Sequence, residues 1–510
     1  MKATEDLYLL IQSLNRMEKR YFKMFYSSQI RGEINNYMKV FDAIEKQKVY
    51  NESLLLKQFK NETFVKQFSV VKNYLHSLIL KSLRVYYHDS SNNIKLRELL
   101  TDIEILFNRS LLDQCKKKIE KGKQLAAKLE KYTIMLELLN WEYKLMAERF
   151  YMGNTEEDIQ MIFSLKSDIL NKLTNLNYFD FLSADIFFAG NHYELRSKEG
   201  KQKIQKLQER LNECDNVEKQ SLEAMLKYRM GAYHFYSMIK ENERAYLWIK
   251  EIVDLLENNP FKIEEDSYFY IASLENLINA QLNLKKYKEQ EVYIKKLENM
   301  MTYSPHHLNE IKLYLYNKSL QSDIVKGLFK EGSKRVLEIE NYLTENSGII
   351  DSQIKMVFYF NISHLYFGNK EYSKALFWLN KILNESEAFC RIDIYSFSML
   401  FNLIIHYELN NEELLFYRIK STYRFLLKKN RLFEFESAIL SFIRKKALKI
   451  KNSKDLTQAF KALKEKLIEI KKDKLEREFL EEFDFVSWLE SKIENRPFKE
   501  IVREKSGCQN

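Results

Sequence analysis

Four asparagines recur along the middle of the chain: Asn276, Asn317, Asn361 and Asn402. Their spacing predicts matching places on four successive helices. An Asn amide offers two donors and an acceptor, so it can hold the N–H and C=O of an extended peptide without reading its side chains. Tyr316, Phe360 and Phe401 precede three of them and could add apolar contact. Asn279 and His364 lie one helical turn further on. The same amides could instead bond a neighbouring helix. A ladder of Asn and aromatic groups could also read RNA bases, one per helix pair.

A second set is basic. Lys57, Lys60, Lys66, Lys72, Lys81 and Arg84 fall on two expected helices, Glu52–Phe59 and Phe64–Tyr87, joined by a tight turn. That arrangement could be a helix-turn-helix whose lysines meet phosphate. Against it, Phe64, Phe68, Val71, Leu75, Leu78 and Ser82 mark the longer helix as a core stripe. Residues 1–90 hold 15 Lys and Arg against 9 Asp and Glu, whereas residues 266–428 hold 20 against 19. Nucleic acid therefore fits the first region better than the ladder, because phosphate contacts supply much of its affinity. The basic run Arg444–Lys454 reads as a solvated helix end, where cations suit the dipole.

Motifs for chemistry are missing. The sequence has no GxxxxGK[ST], no GxGxxG and no HExxH. His306 and His307 are adjacent but have no Cys or Asp beside them. The expectation is a protein that is not an enzyme and holds no metal or cofactor. Cys115, Cys214, Cys390 and Cys508 form no CxxC pair and are expected as free thiols in a reducing compartment. With no basic leader and no apolar run of about 18 residues, the protein is expected to be cytoplasmic, with no membrane contact.

Only 11 Gly and 3 Pro occur in 510 residues, too few for turn-rich β folds. Long unbroken stretches of Lys, Glu, Leu and Ile predict an all-α chain. Its clearest segment is Phe358–Leu383, two amphipathic helices about a short turn at Gly368-Asn369. Carrying the Tyr372 position along the chain places second-helix starts at Leu112, Thr155, Gly200, Asn242, Tyr287, Phe329, Tyr372, Glu412 and Ser453, 40 to 45 residues apart. Seven residues after each comes an apolar side chain. Three residues after four of them comes a small one: Cys115, Ala245, Gly332 and Ala375. The other units carry Asp158, Lys203, Gln290, Leu415 and Leu456 there. Turn signals at Asn258-Asn259-Pro260, Ser304-Pro305 and Asn346-Ser347-Gly348 fall between units.

Phe360-Asn361-Ile362, Ser363, Tyr372, Ala375, Leu379 and Ile382 together resemble a tetratricopeptide (TPR) repeat, lengthened from about 34 residues to a period near 43. The resemblance implies a right-handed α-solenoid whose first helices line a concave groove. It also implies that Asn276, Asn317, Asn361 and Asn402 clamp a peptide there, with Tyr316, Phe360, Phe401 and His364 beside them. The expected organisation is a basic helical head over 1–90, a TPR-like solenoid over 91–473, and a capping helix and tail over 474–510. The expected function is a scaffold that binds a peptide or protein segment. The alternative is a nucleic-acid-binding regulator with a helix-turn-helix head before a sensor domain, a layout similar to bacterial peptide-sensing transcription regulators. Lys57, Lys60, Lys66 and Lys72 would then be its nucleic-acid contacts.

Overall fold

The computed structural model describes residues 5–29, 36–88, 92–214, 221–303, 307–347, 350–384, 391–444, 452–473, 475–476 and 482–507. Among these the protein is all-α, a packed array in which helices pair with their chain neighbours. The chain divides into two compact units, Met1–Leu173 and Thr174–Asn510.

The first unit opens with α1 (Asp6–Ser13), α2 (Arg16–Gln29), α3 (Asn36–Glu45), α4 (Glu52–Gln58) and α5 (Phe68–Tyr86). These helices close a core of their own around Phe22, Phe41, Leu55 and Leu75. The long helix begins at Phe68 rather than Phe64, because Thr63–Gln67 is a 3-10 turn that sets Phe64 against Phe59 at 5.5 Å. Phe68, Val71, Leu75, Leu78 and Ser82 form its buried stripe. Then follow α6 (Asn92–Asn108), α7 (Leu112–Lys128) and α8 (Tyr132–Glu148). Helix α9 (Glu156–His192) runs unbroken for 37 residues, where two helices about a turn were expected. No Pro interrupts that stretch, and its one glycine, Gly190, comes near its end.

The second unit continues with α10 (Lys198–Asn212), α11 (Leu222–Met238), α12 (Asn242–Asn258), α13 (Pro260–Glu265), α14 (Ser267–Asn283) and α15 (Tyr287–Tyr303). After these come α16 (Leu308–Val325), α17 (Phe329–Glu345), α18 (Ser352–Gly368), α19 (Tyr372–Leu383), α20 (Ile392–Glu408) and α21 (Glu412–Lys428). Four more close the unit: α22 (Glu434–Phe442), α23 (Ser453–Ile470), α24 (Phe485–Ile493) and α25 (Phe498–Ser506). Helices therefore start at Leu112, Asn242, Tyr287, Phe329, Tyr372, Glu412 and Ser453. Near the other two expected starts the structure has Glu156 and Lys198 instead.

One turn chemistry recurs. A left-handed residue stands two before the second helix at Ser110, Lys240, Lys285, Gly327, Lys370 and Asn410. The next N–H then reaches back to a carbonyl in the last turn, as Glu371 does to Tyr366 at 2.8 Å. This satisfies carbonyls that a helix end leaves open. Gly368 is thus the last residue of α18, not the turn residue. A Cβ there would stand 2.3 Å from the Phe329 ring, so the close packing of Phe329 requires glycine.

The small position has the same logic. Cys115, Ala245, Gly332 and Ala375 are buried where paired helices cross. Cys115 Sγ donates to the Ile103 carbonyl at 3.7 Å, and Ser363 Oγ donates to the Ala375 carbonyl at 2.8 Å. Gln290 departs from the small pattern but makes the equivalent bond, its Nε2 donating to the Ile278 carbonyl at 3.1 Å. An otherwise unfavourable buried amide is satisfied in this way.

Two features tie distant parts of the second unit together. Arg196 is buried with Glu194, Glu436 and Glu476 at 2.9, 3.0 and 3.3 Å, and its guanidinium lies 4.1 Å from the Phe433 ring centre. This clasp joins the stretch before α10 to α22. The second feature is the C-terminal segment, which was expected as an end cap. Phe483 packs on His364, Phe367 and Phe401 at 5.1, 5.1 and 4.8 Å. Phe498 stacks on Phe329 at 5.6 Å, and Arg503 Nε donates to the Gly327 carbonyl at 3.0 Å. The segment therefore lies across α16, α17, α18 and α20 and shares their core.

Candidate functional site

The asparagine ladder divides in two. Asn361 and Asn402 are buried, on α18 and α20. Asn361 Nδ2 donates to Asn317 Oδ1 at 2.7 Å, whereas Asn402 Nδ2 has no hydrogen-bond partner. Phe360, Phe401 and His364 are buried with them, their rings about 6 Å apart and covered by Phe483. Burial pushes the His364 imidazole down to about 3, so it is a neutral aromatic group in this cluster. Tyr316 turns toward its own second helix, where its hydroxyl donates to Glu338 at 2.8 Å. Asn276 and Asn317 are half-buried and remain accessible.

The reason lies in register. Measured from the left-handed turn residue, Asn276 and Asn361 each stand nine residues before it, Asn317 ten and Asn402 eight. One residue is a rotation of about 100° on a helix. The position equivalent to Asn276 is therefore held by Lys318 on α16, Asn361 on α18 and Phe401 on α20. The equivalents of Asn279 are His234, Gln321, His364 and Ile404. Along this shared face the side chains change from part-exposed and polar on α14 and α16, through the buried Asn361 and His364 on α18, to Phe401 and Ile404 on α20. The chain's own C-terminal segment covers the aromatic part.

The open part centres on α14 and α16. Tyr314 Oη donates to the Glu275 main-chain oxygen at 2.6 Å and to Asn279 Oδ1 at 3.0 Å. Lys318 donates to Gln321 Oε1 and lies 5.4 Å from the Tyr314 ring centre. All of these are half-buried except Asn317's partner Asn361. Surrounding protein strips water from Glu275, and nearby Glu310 adds to the effect; together they push its carboxyl up to about 7. The same crowding brings the Lys318 ammonium down to about 8, opposed by Glu275. Glu275, Tyr314 and Lys318 were not singled out in the sequence. Requiring an exact register, with no residue of slack, would have found Lys318 in place of Asn317.

The basic set also divides. Lys57, Lys60 and Lys66 are exposed. Lys72 is buried, its ammonium held by Glu52 at 2.5 Å, which turns it away from any phosphate backbone. Helix α2 adds a basic row that was not expected. Arg16, Lys19, Arg20 and Lys23 line an open recess of about 650 Å³ with Met24, Ser27 and Glu45. Lys19 and Lys23 pair with Glu45 at 3.4 and 3.2 Å. Arg16 and Arg20 form no ion pair among the described residues.

No group of His, Cys, Asp and Glu with metal-holding geometry occurs among the described residues, and no described helix is long and apolar enough to cross a membrane. Neither Cys115 nor Cys214 is joined in a disulfide. Cys390, Cys508, His306, Ser304-Pro305, Gly348 and most of the Arg444–Lys454 run lie outside the described residues. The sequence matches no protein-family model, and no curated protein is similar enough to it to count as a relative.

Proposed function

We propose that the protein is a non-enzymatic scaffold, a right-handed TPR-like superhelix of period near 43 that binds a peptide or protein segment in its concave groove. The observation that carries this reading is the row of part-buried polar groups on adjacent first helices: Glu275, Asn276 and Asn279 on α14, and Tyr314, Asn317 and Lys318 on α16. Asn276 and Asn317 hold the main chain, and Asn361 braces Asn317 from within. Stacked helix pairs suit such a surface because each pair contributes one step of an extended site. Cys115 and Cys214, neither in a disulfide, fit a reducing cytoplasm. Selection of 12-residue random peptides on the full chain tests the reading. Asn276→Ala with Asn317→Ala should weaken the selected peptides at least tenfold; unchanged binding refutes the groove.

A second reading is favoured by one observation, the unpaired Arg16 and Arg20 beside Lys19 and Lys23 on α2. The head then binds nucleic acid through this row, together with Lys57, Lys60 and Lys66. The full chain should shift a duplex DNA probe with an affinity that falls steeply as salt rises. Arg16→Ala with Arg20→Ala should abolish the shift, and salt-independent binding would refute it.

A further inference from the structure

Resting on the groove reading, we propose that Glu275 is the receptor for a cationic group of the bound segment, the ammonium or guanidinium of a Lys or Arg side chain. Three observations lead to this. The Glu275 carboxylate is half-buried but accepts no hydrogen bond and makes no ion pair among the described residues; the bond from Tyr314 goes to its main-chain oxygen. A carboxylate has about four acceptor positions, so this group has most to gain from a donor. Its neighbour Lys318 is already engaged by Gln321 and the Tyr314 ring. Asn276, next in the chain, has both amide donors and its acceptor unused among the described residues, and can hold the main chain beside a docked side chain.

The surrounding charges favour a cation. Around Glu275 stand Glu310, Lys318 and Tyr314 of α16, with Tyr233 of α11 beside Tyr314. Tyr233 and Tyr314 remain protonated, because burial raises both phenols. Two carboxylates thus face one ammonium. A guanidinium would suit the site best, since its planar fork pairs with both carboxylate oxygens.

The site also has a sign with pH. The Glu275 carboxyl sits near 7 when the site is empty. Binding a cation requires the ionised form, so below 7 a proton must leave first. Lys318, brought down to about 8, loses its competing charge over the same range. Both changes strengthen binding as pH rises.

The test uses the full chain and peptides selected from a random 12-residue library. Selected sequences should carry Lys or Arg at one fixed position. Glu275→Gln should weaken the best peptide at least tenfold, and replacing its basic residue by Gln should cost nothing further in that variant. Wild-type affinity should be at least tenfold weaker at pH 6 than at pH 8, and Glu275→Gln should leave only the smaller part that comes from Lys318. Lys318→Met, which deletes the competing ammonium, should tighten binding. Circular dichroism confirms that each variant folds. Peptides that lack a basic residue, or bind Glu275→Gln equally, overturn the inference; if Asn276→Ala still weakens them, the groove reading survives. Failure to select any peptide overturns both.

Discussion

Two residues show how burial changes what a side chain can do. His364 was expected to face a partner, but it sits among Phe329, Phe360, Phe401 and Phe483 as a neutral ring. Its folded value of about 3 lies below the ordinary 6.5. An unfolded chain therefore binds a proton that the folded one does not, and stability is lost as pH falls below 6.5. His364→Phe should remove this loss. Its stability relative to wild type should improve by about 2 kcal/mol between pH 7.5 and 5, read from urea midpoints. Glu275 has the opposite sign, because its folded value is raised above the usual carboxylate range. Stability is therefore lost as pH rises from about 4.5 through about 7, so Glu275→Gln should melt higher than wild type at pH 8. That advantage should vanish below about pH 4, where the carboxyl is protonated in both the folded and the unfolded chain. Gly368 is a third case. A methyl group there meets the Phe329 ring, and Gly368→Ala should cost about 1–3 kcal/mol by overpacking, measured by denaturant unfolding.

At the scale of elements, the paired helices were legible because their signals are local. Apolar residues at helical spacing recur in each unit and a small residue at the crossing in four of them, and seven expected second-helix starts coincide with helix starts. The left-handed turn residue was less visible, since Lys240, Lys285 and Lys370 hold it without being glycine. A side chain in that conformation is strained by roughly 1–2 kcal/mol. Lys370→Gly should relieve this and stabilise the protein by up to about 1 kcal/mol, after the greater entropy of unfolded glycine is deducted. Equal or lower thermal stability would contradict this account of the turn. The face of the ladder was misjudged for a different reason. Counting from helix starts tolerated one residue of slack, and one residue turns a side chain by about 100°. Helix α9 shows a further limit: its 37 residues contain no local stop, so only packing could have marked where one helix should yield to the next.

Over the whole second unit, the contacts that matter most join residues far apart in the chain. The Arg196 clasp brings Glu194 together with Glu436 and Glu476. Burial raises both Glu436 and Glu476 against the pull of Arg196. Removing the guanidinium would leave buried carboxylates without their counter-charge, so Arg196→Ala should cost about 3–5 kcal/mol. Arg196→Met combined with Glu436→Leu should recover much of that, and a double variant as unstable as the single one would contradict the charge argument. By itself the sequence determined the all-α class, most of the helix pairs and the small crossing residues, because period, propensity and composition act over a few turns. Only the tertiary structure decided which part of the ladder stays open. Phe483 and Phe498 pack on α17, α18 and α20, leaving Glu275 and Asn276 of α14 and Asn317 and Lys318 of α16 part-exposed. No local pattern encodes that choice, since an aromatic side chain reads as apolar whichever surface it finally meets.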